Sequence, residues 1–252
     1  MDLGVRDRVF LLSGASRGLG RATAEVLVAE GAYVVISARD EDAVQRTAAS
    51  LGTARAVGVA ADNADPASAE RLVATAMAKW GRLDGALISV GGPPAGSAMD
   101  TDEDEWRRAF ESIYLGTLRL CRAVAAACRD GGSIAFVLSS SVRSPIANLA
   151  ISNGLRPGLA GLAKTFADEL GPAGVRVNSL LPGSFDTERT RELAAQSGDP
   201  EAYRRRREAE IPLRRFGSPA EFGRVAAFIL SPVASYVTGT TIAIDGGALR
   251  AI

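Results

Sequence analysis

Short aliphatic runs that alternate with longer stretches of helical period constrain this chain more than any other feature. The runs are Val9 to Ser13, Tyr33 to Ala38, Ala56 to Ala60, Ala86 to Val90, Ser133 to Ser139, Val175 to Leu180 and Thr241 to Ile244. Between them lie segments with apolar residues on one helical face, including one starting near Gly18, Glu41 to Leu51, and Ala67 to Trp80 with Leu72, Val73, Ala76 and Met77 aligned. Strands apolar on both faces and separated by helices predict a parallel sheet covered on both sides through right-handed crossovers. The expected fold is a doubly wound α/β sheet forming a single domain over residues 1–252, since one α/β domain readily reaches about 250 residues. Two segments break the alternation. Gly91 to Gly96 reads as a loop leaving the fourth strand, and the charged stretch 186–216 is long enough to fold over a site as a lid.

Charge and composition then remove whole classes of chemistry. Lys plus Arg and Asp plus Glu are equal at 29 each, so no basic footprint for nucleic acid or an anionic membrane surface is expected. Histidine is absent, with a count of 0, which excludes Ser-His-Asp and Cys-His nucleophiles, His general bases and His-ligated zinc; no metal site is expected. Cys121 and Cys128 fall in a helical segment, Glu105 to Cys128, about 10.5 Å apart along the axis, too far to pair. With no run approaching the roughly 18 apolar residues of a membrane span and no early secretory core, the expected setting is the reducing cytoplasm.

The first strand runs into Ser13-Gly14-Ala15-Ser16-Arg17-Gly18-Leu19-Gly20 and then a helix. Glycines here let the backbone approach a pyrophosphate while the helix N-terminus offers free N–H groups and positive dipole. In a chain with 27 glycines the bare spacing arises by chance about 0.3 times, so the argument rests on its place between strand and helix. Gly14, Ser16, Arg17, Gly18, Leu19 and Gly20 are therefore candidate dinucleotide contacts, with Gly91 in the loop after the fourth strand. The second strand ends Ser37-Ala38-Arg39, and the acid that would bond a ribose 2′-hydroxyl comes one residue late, at Asp40. Arg39 and Arg17 instead offer two guanidinium groups to a 2′-phosphate, which predicts NADP(H) rather than NAD(H). Asp62, with Asn63 beside it, stands where it would accept from an adenine amino group or serve as an ordinary loop residue.

Three further stretches join the glycine turn: Arg176-Val177-Asn178 running to Pro182-Gly183-Ser184-Phe185-Asp186-Thr187, Gly217-Ser218-Pro219-Ala220-Glu221, and Thr238-Gly239 leading to Asp245-Gly246-Gly247. On these, over essentially the whole chain, the sequence resembles the short-chain dehydrogenase/reductase family, most closely its 3-oxoacyl-carrier-protein reductase branch. The resemblance implies a Rossmann-like fold, with Pro182, Gly183 and Thr187 holding the carboxamide side of a nicotinamide. It also implies a homo-oligomer, a tetramer, formed through the long helix Glu105 to Cys128 and the tail from Thr238 to Ile252. The family's catalytic serine matches Ser139. Its YxxxK pair falls on Ser152 and Arg156, its helical Asn at or beside Ile113, and its NNAG loop on Ser89-Val90-Gly91-Gly92.

Ser139, Ser152 and Arg156 are thus the candidate catalytic set of an atypical centre. A serine hydroxyl is far less acidic than a phenol, and a guanidinium positions groups without relaying protons. Tyr114 and Tyr203 carry the other phenols considered, either as proton donors or as packing and surface residues. Arg204 to Arg207 reads as a solvated helix face or a clamp for an acidic carrier; Asp186 and Glu188 are expected to cap the lid helix; Pro157 suggests a bend or a helix restarting at Asn153. Two functions follow: an NADP(H)-dependent reductase of a carbonyl or acyl-thioester substrate, or a nucleotide-binding pseudoenzyme serving as a partner or regulatory subunit.

Overall fold

A computed structural model describes residues 1–128, 131–196 and 198–251. Strands β1 (Val9–Leu12), β2 (Tyr33–Ala38), β3 (Ala56–Ala60), β4 (Gly85–Ser89), β5 (Gly132–Val137), β6 (Val175–Pro182) and β7 (Thr241–Ile244) form one sheet in the order β3-β2-β1-β4-β5-β6-β7. Every pairing is parallel. The doubly wound Rossmann-like arrangement expected from the sequence is therefore the one observed.

Alternation along the strands divides the core in two. Val9 and Leu11 of β1 join a cluster with Leu72 of α3 (Ser68–Trp80), Leu120 of α5 (Gly116–Ala127) and Leu159 of α6 (Ala150–Leu170). Phe10 and Leu12 face the other way, among Leu27 of α1 (Gly18–Ala29), Val44 of α2 (Glu41–Leu51) and Phe222 of α9 (Pro219–Leu230). Each residue of β1 is thus buried whichever way it points, which is why its run is apolar throughout. Truncating Phe10 to alanine removes about 3–5 kcal/mol of packing.

Several boundaries differ from the expectation. The long helix begins at Glu103 as α4 (Glu103–Ala109), passes through a π-helical segment at Phe110–Leu115, and ends in α5 at Ala127, leaving Cys128 as its C-cap. Gly116 follows the π turn because a Cβ there would lie 2.5 Å from the Asn63 carbonyl oxygen. Both cysteines are free and buried; burial pushes both thiols up, Cys128 to about 12, so neither is reactive at neutral pH. Strand β5 stops at Val137, two residues short of Ser139. The charged stretch 186–216 contains α7 (Glu188–Gln196) and α8 (Pro200–Glu210); its Ser197, like Ile252 of the tail, lies outside the described residues. No helix among the described residues is long and apolar enough to cross a membrane.

Candidate functional site

Strand order reverses at β1, whose neighbours are β2 and β4, and ligands of open α/β sheets bind outside the carboxyl ends of the strands at that point. There the Ser13 hydroxyl donates to the Ser89 carbonyl at 2.8 Å and accepts from the Ser89 N–H at 3.0 Å, clamping the two strand ends together. Immediately above, Gly14 takes φ +60°, and a Cβ on it would meet the Ser89 oxygen at 2.7 Å; only glycine fits. Gly18 repeats the left-handed conformation at φ +59°, and Gly20 packs bare against Gly14. A groove of about 1060 Å³ opens over this turn, lined on one side by Gly14, Ser16, Arg17 and Arg39 and on the other by Gly91, Asp62 and Asn63. Its size and its backbone cradle fit a dinucleotide.

The two arginines differ. Asp40 spends its carboxylate capping α2 at the Ala43 N–H, 2.9 Å, and Arg39 has no hydrogen bond or ion pair with the described residues. Arg17 is already engaged: its Nη1 donates to Glu188 at 2.7 Å and Glu192 at 3.1 Å, and the Glu188 contact raises its pKa. Both arginines line the groove, but Arg17 is paired where Arg39 is not among the described residues, because α7 folds over the glycine turn and brings two carboxylates to Arg17. Asp62 accepts from the Ala64 N–H at 2.9 Å in its own turn.

At the end of β5 the chemistry is different. Ser139 lies at the start of a short 3-10 turn, Ser140–Val142, and its Oγ accepts the Ser141 N–H at 3.1 Å. The Ser141 hydroxyl in turn lies 3.2 Å from that of Ser152, both buried. One helical turn on, Arg156 reaches back to β5, donating to the Val137 carbonyl at 3.0 Å and the Leu138 carbonyl at 3.2 Å. Burial pushes its pKa down to about 10, which still leaves it protonated at neutral pH. The structure therefore brings Ser139, Ser152 and Arg156 together, outside the lining of the large groove. Ser141 is the member that sequence reasoning missed; its only signal was the triple serine at 139–141.

The helix carrying Ser152 also departs from the expectation. Helix α6 starts at Ala150 and runs through Pro157, rather than restarting at Asn153. Asn153 instead ties down the preceding loop, accepting from the Ile146 N–H at 3.0 Å and donating to the Ile146 carbonyl at 2.8 Å. Ile113 is buried in the π segment. Tyr114 stacks on Phe110 with ring centroids 5.2 Å apart, and Tyr203 lies beneath the Arg206 guanidinium; both have packing partners in these places.

On the lid side, Pro182 ends β6 beside Ile244, and Gly183 is bare because a Cβ would lie 2.6 Å from that of Asp245. Thr187 caps α7, accepting the Thr190 N–H at 3.3 Å; the expected caps, Asp186 and Glu188, pair instead with Arg191 and Arg17. Arg189 donates to the Pro93 carbonyl at 3.1 Å, so α7 is tied to both the β1 turn and the β4 loop. Arg204, Arg205 and Arg207 form intrahelical pairs with Glu208, Glu201 and Glu210, a solvated face rather than a free clamp. No group of His, Cys, Asp or Glu among the described residues is arranged to hold a metal ion.

This strand-turn-helix cradle at a topological switch point, with a hydroxyl cluster at the end of β5, defines a nucleotide-binding α/β protein of oxidoreductase type. Residues 14–248 match the family model described as enoyl-(acyl carrier protein) reductase. Dehydrogenase/reductase SDR family member 4 of Bos taurus is 35% identical over 254 residues, covering 96% of this chain and 88% of the relative. The 3-oxoacyl-[acyl-carrier-protein] reductase FabG of Salmonella typhimurium is 33% identical, covering 95% of this chain and 96% of that protein. Among solved structures, L-sorbose reductase from Gluconobacter frateurii, complexed with NADPH and L-sorbose, superposes with a TM-score of 0.95 at 29% identity over 100% of both chains. The chain belongs to the short-chain dehydrogenase/reductase family.

Proposed function

We propose that the chain is an NADP(H)-dependent oxidoreductase that reduces a carbonyl or acyl-thioester substrate through an atypical catalytic centre. The observation that carries the reading is the glycine-cradled groove with Arg39 on its wall, unpaired among the described residues and suited to a 2′-phosphate. The NADPH bound to the similar L-sorbose reductase supports the same cofactor here. NADPH, when bound, supplies the hydride. Gly14, Ser16, Gly18, Leu19 and Gly20 present backbone to the pyrophosphate, Asp62 and Asn63 flank the base, and Gly91, Pro182, Gly183 and Thr187 border the nicotinamide. Ser139, whose hydroxyl proton is not committed to the Ser141 contact, polarises the carbonyl oxygen. Ser152, water or a lid residue delivers the proton, and Arg156 positions these groups. The 186–216 segment acts as a lid on the single domain.

A second reading, a pseudoenzyme that binds NADP without turnover, draws on Ser152 and Arg156, neither of which is a proton donor matched to neutral pH. Calorimetric titration with NADP and NAD, followed by NADPH oxidation over a panel of ketones and oxoacyl thioesters, separates the two. Tight NADP binding with turnover supports the first, binding without turnover the second, and no binding removes both.

We further propose a homotetramer in the cytoplasm, where both free thiols stay reduced. Of the stripe Leu118, Cys121, Ala125 and Cys128 expected to meet a second copy, Cys121 and Cys128 are buried in the core, which leaves the half-buried Leu118 and Ala125 with the stacked Phe110 and Tyr114 of the π-helical segment, Phe110 being 43% exposed, as the apolar surface for it. Light scattering should return a multiple of the 26.1 kDa chain mass; a mass of one chain at micromolar concentration contradicts it.

A further inference from the structure

The groove over β1 and β4 is open along its adenosine side and covered toward its other end. Arg39, Arg46, Asp62 and Asn63 line it, whereas Pro182, Gly183 and Thr187, assigned above to the nicotinamide, do not. The lining stops at Glu188, the first residue of α7. In this arrangement a helix crosses the way from the adenosine side to the nicotinamide end.

Three ties hold α7 there. A Cβ on Gly18 would come within 3.8 Å of Thr187 Cγ2, so the residue before α7 rests on the glycine turn. From the same turn, Arg17 Nη1 donates to Glu188 at 2.7 Å and to Glu192 at 3.1 Å. On the far side Arg189 Nη2 donates to the Pro93 carbonyl at 3.1 Å, and a Cβ on Gly92 would lie 3.5 Å from the Arg189 Nε. The start of α7 thus bridges the turn after β1 and the loop after β4, across the crevice where strand order reverses. None of residues 188–195 is buried, so the helix is held by solvent-exposed polar ties rather than by the core. Ties of this kind are individually weak and screened by salt.

The Arg17 tie also opposes the ligand that the glycine turn favours. Glycine backbone and a helix N-terminus attract a phosphate to this turn, while Glu188 and Glu192 bring two negative charges to it. A phosphate that takes the Arg17 guanidinium displaces those carboxylates, and a phosphate beside them is repelled. We propose that α7 is an autoinhibitory strap, which a dinucleotide displaces by docking its adenosine end first and taking Arg17 from Glu188 and Glu192 with its phosphates. The inference rests on the NADP(H) reading and adds an order of entry to it. Each tie lowers apparent affinity by the share of molecules it keeps closed; a strap closed in about nine of ten molecules weakens binding about tenfold. The Arg189 tie obstructs the nicotinamide end alone, so a ligand confined to the adenosine side does not meet it.

The test is calorimetric titration of the full chain with NADP⁺ and with adenosine 2′,5′-bisphosphate, which carries the adenosine half of NADP⁺ and no nicotinamide. Arg189→Met should strengthen NADP⁺ binding about threefold to tenfold and leave the bisphosphate within twofold of wild type. Coulomb attraction alone gives the opposite sign, since the variant removes a positive charge beside an anionic ligand. Arg189→Lys, which keeps the charge and a donor for the Pro93 carbonyl, should stay near wild type. Glu188→Gln combined with Glu192→Gln should strengthen both ligands, and it keeps the test decisive if the methionine variant fails to fold. NADP⁺ bound by Arg189→Met and not by wild type is the extreme form of the expected result. NADP⁺ binding that Arg189→Met weakens or leaves unchanged, a gain shared equally by the bisphosphate, or no gain in the double glutamine variant overturns the strap while the NADP(H) reading stands. Failure of wild type and every variant to bind either ligand overturns both.

Discussion

The groove over β1 and β4 and the cluster at the end of β5 sit at the same edge of one sheet, yet they are made of different things. The first is backbone: Gly14 and Gly18 in left-handed conformations, strand ends clamped by Ser13 and Ser89, with Arg39 at the wall. The second is side chains: the half-buried Ser139 and the buried Ser141, Ser152 and Arg156. A backbone cradle accepts any ligand of the right shape and charge, and its residues are set by steric necessity. A side-chain cluster is set by the chemistry it performs.

The sharpest way to break this contrast is at the cradle. Gly14→Val forces a β-branched residue to φ +60° with its Cβ against the Ser89 oxygen at 2.7 Å. Strain and overlap together should cost about 3 kcal/mol of stability and abolish NADP binding, read by thermal melts and calorimetry. A protein that melts as wild type and binds NADP would show that the cradle is not sterically determined. Next in size, Arg39→Ala should weaken NADP binding by about 1.5–3 kcal/mol and leave NAD binding unchanged, the range for a charge-assisted hydrogen bond. Equal losses for both dinucleotides would place Arg39 away from the 2′-phosphate.

Smaller effects probe the lid that joins the two regions. Arg17 is exposed, as are Glu188 and Glu192, so a double-mutant cycle between Arg17→Ala and Glu188→Gln should give a coupling of only about 0.2–1 kcal/mol, falling with salt. Because Arg17 lines the same groove, Glu188→Gln should also strengthen NADP binding slightly by freeing the guanidinium. The least effect is expected at Glu221, whose bidentate pairing with Arg215 holds its carboxyl at about 2, below its ordinary 4.5. That stabilisation is present above pH 4.5 and is lost as pH falls toward 2, so Glu221→Gln should lower the melting temperature slightly at neutral pH, a difference that closes as pH falls toward 2.

Legibility in the sequence followed the same division. Strand runs and the glycine turn were readable because burial on both faces and left-handed backbone leave local marks, in aliphatic runs and in Gly14 and Gly18. The pairing of Arg17 was not readable: it meets Glu188, 171 positions away, only through the folding of α7. The π turn at Phe110–Leu115 leaves the helical period locally plausible, so the segment read as one continuous helix. Pro157 argued for a break because an isolated helix would lose a hydrogen bond there, yet α6 continues against β6 and the Asn153 side chain fixes the loop before it. Ser152 and Arg156 were readable as residues, whereas Ser141, their link to Ser139, emerged only from the turn that follows β5.

Whether the β5 cluster does chemistry or only survives beside a nucleotide site is decided by the rate of NADPH oxidation in wild type against Ser139→Ala. The account predicts turnover above background on at least one carbonyl substrate, with Ser139→Ala slower by about 10²-fold or more, as for loss of a donor to a developing oxyanion, and NADP affinity unchanged. Wild type and Ser139→Ala both at the uncatalysed background on every substrate, with NADP still bound, would contradict it.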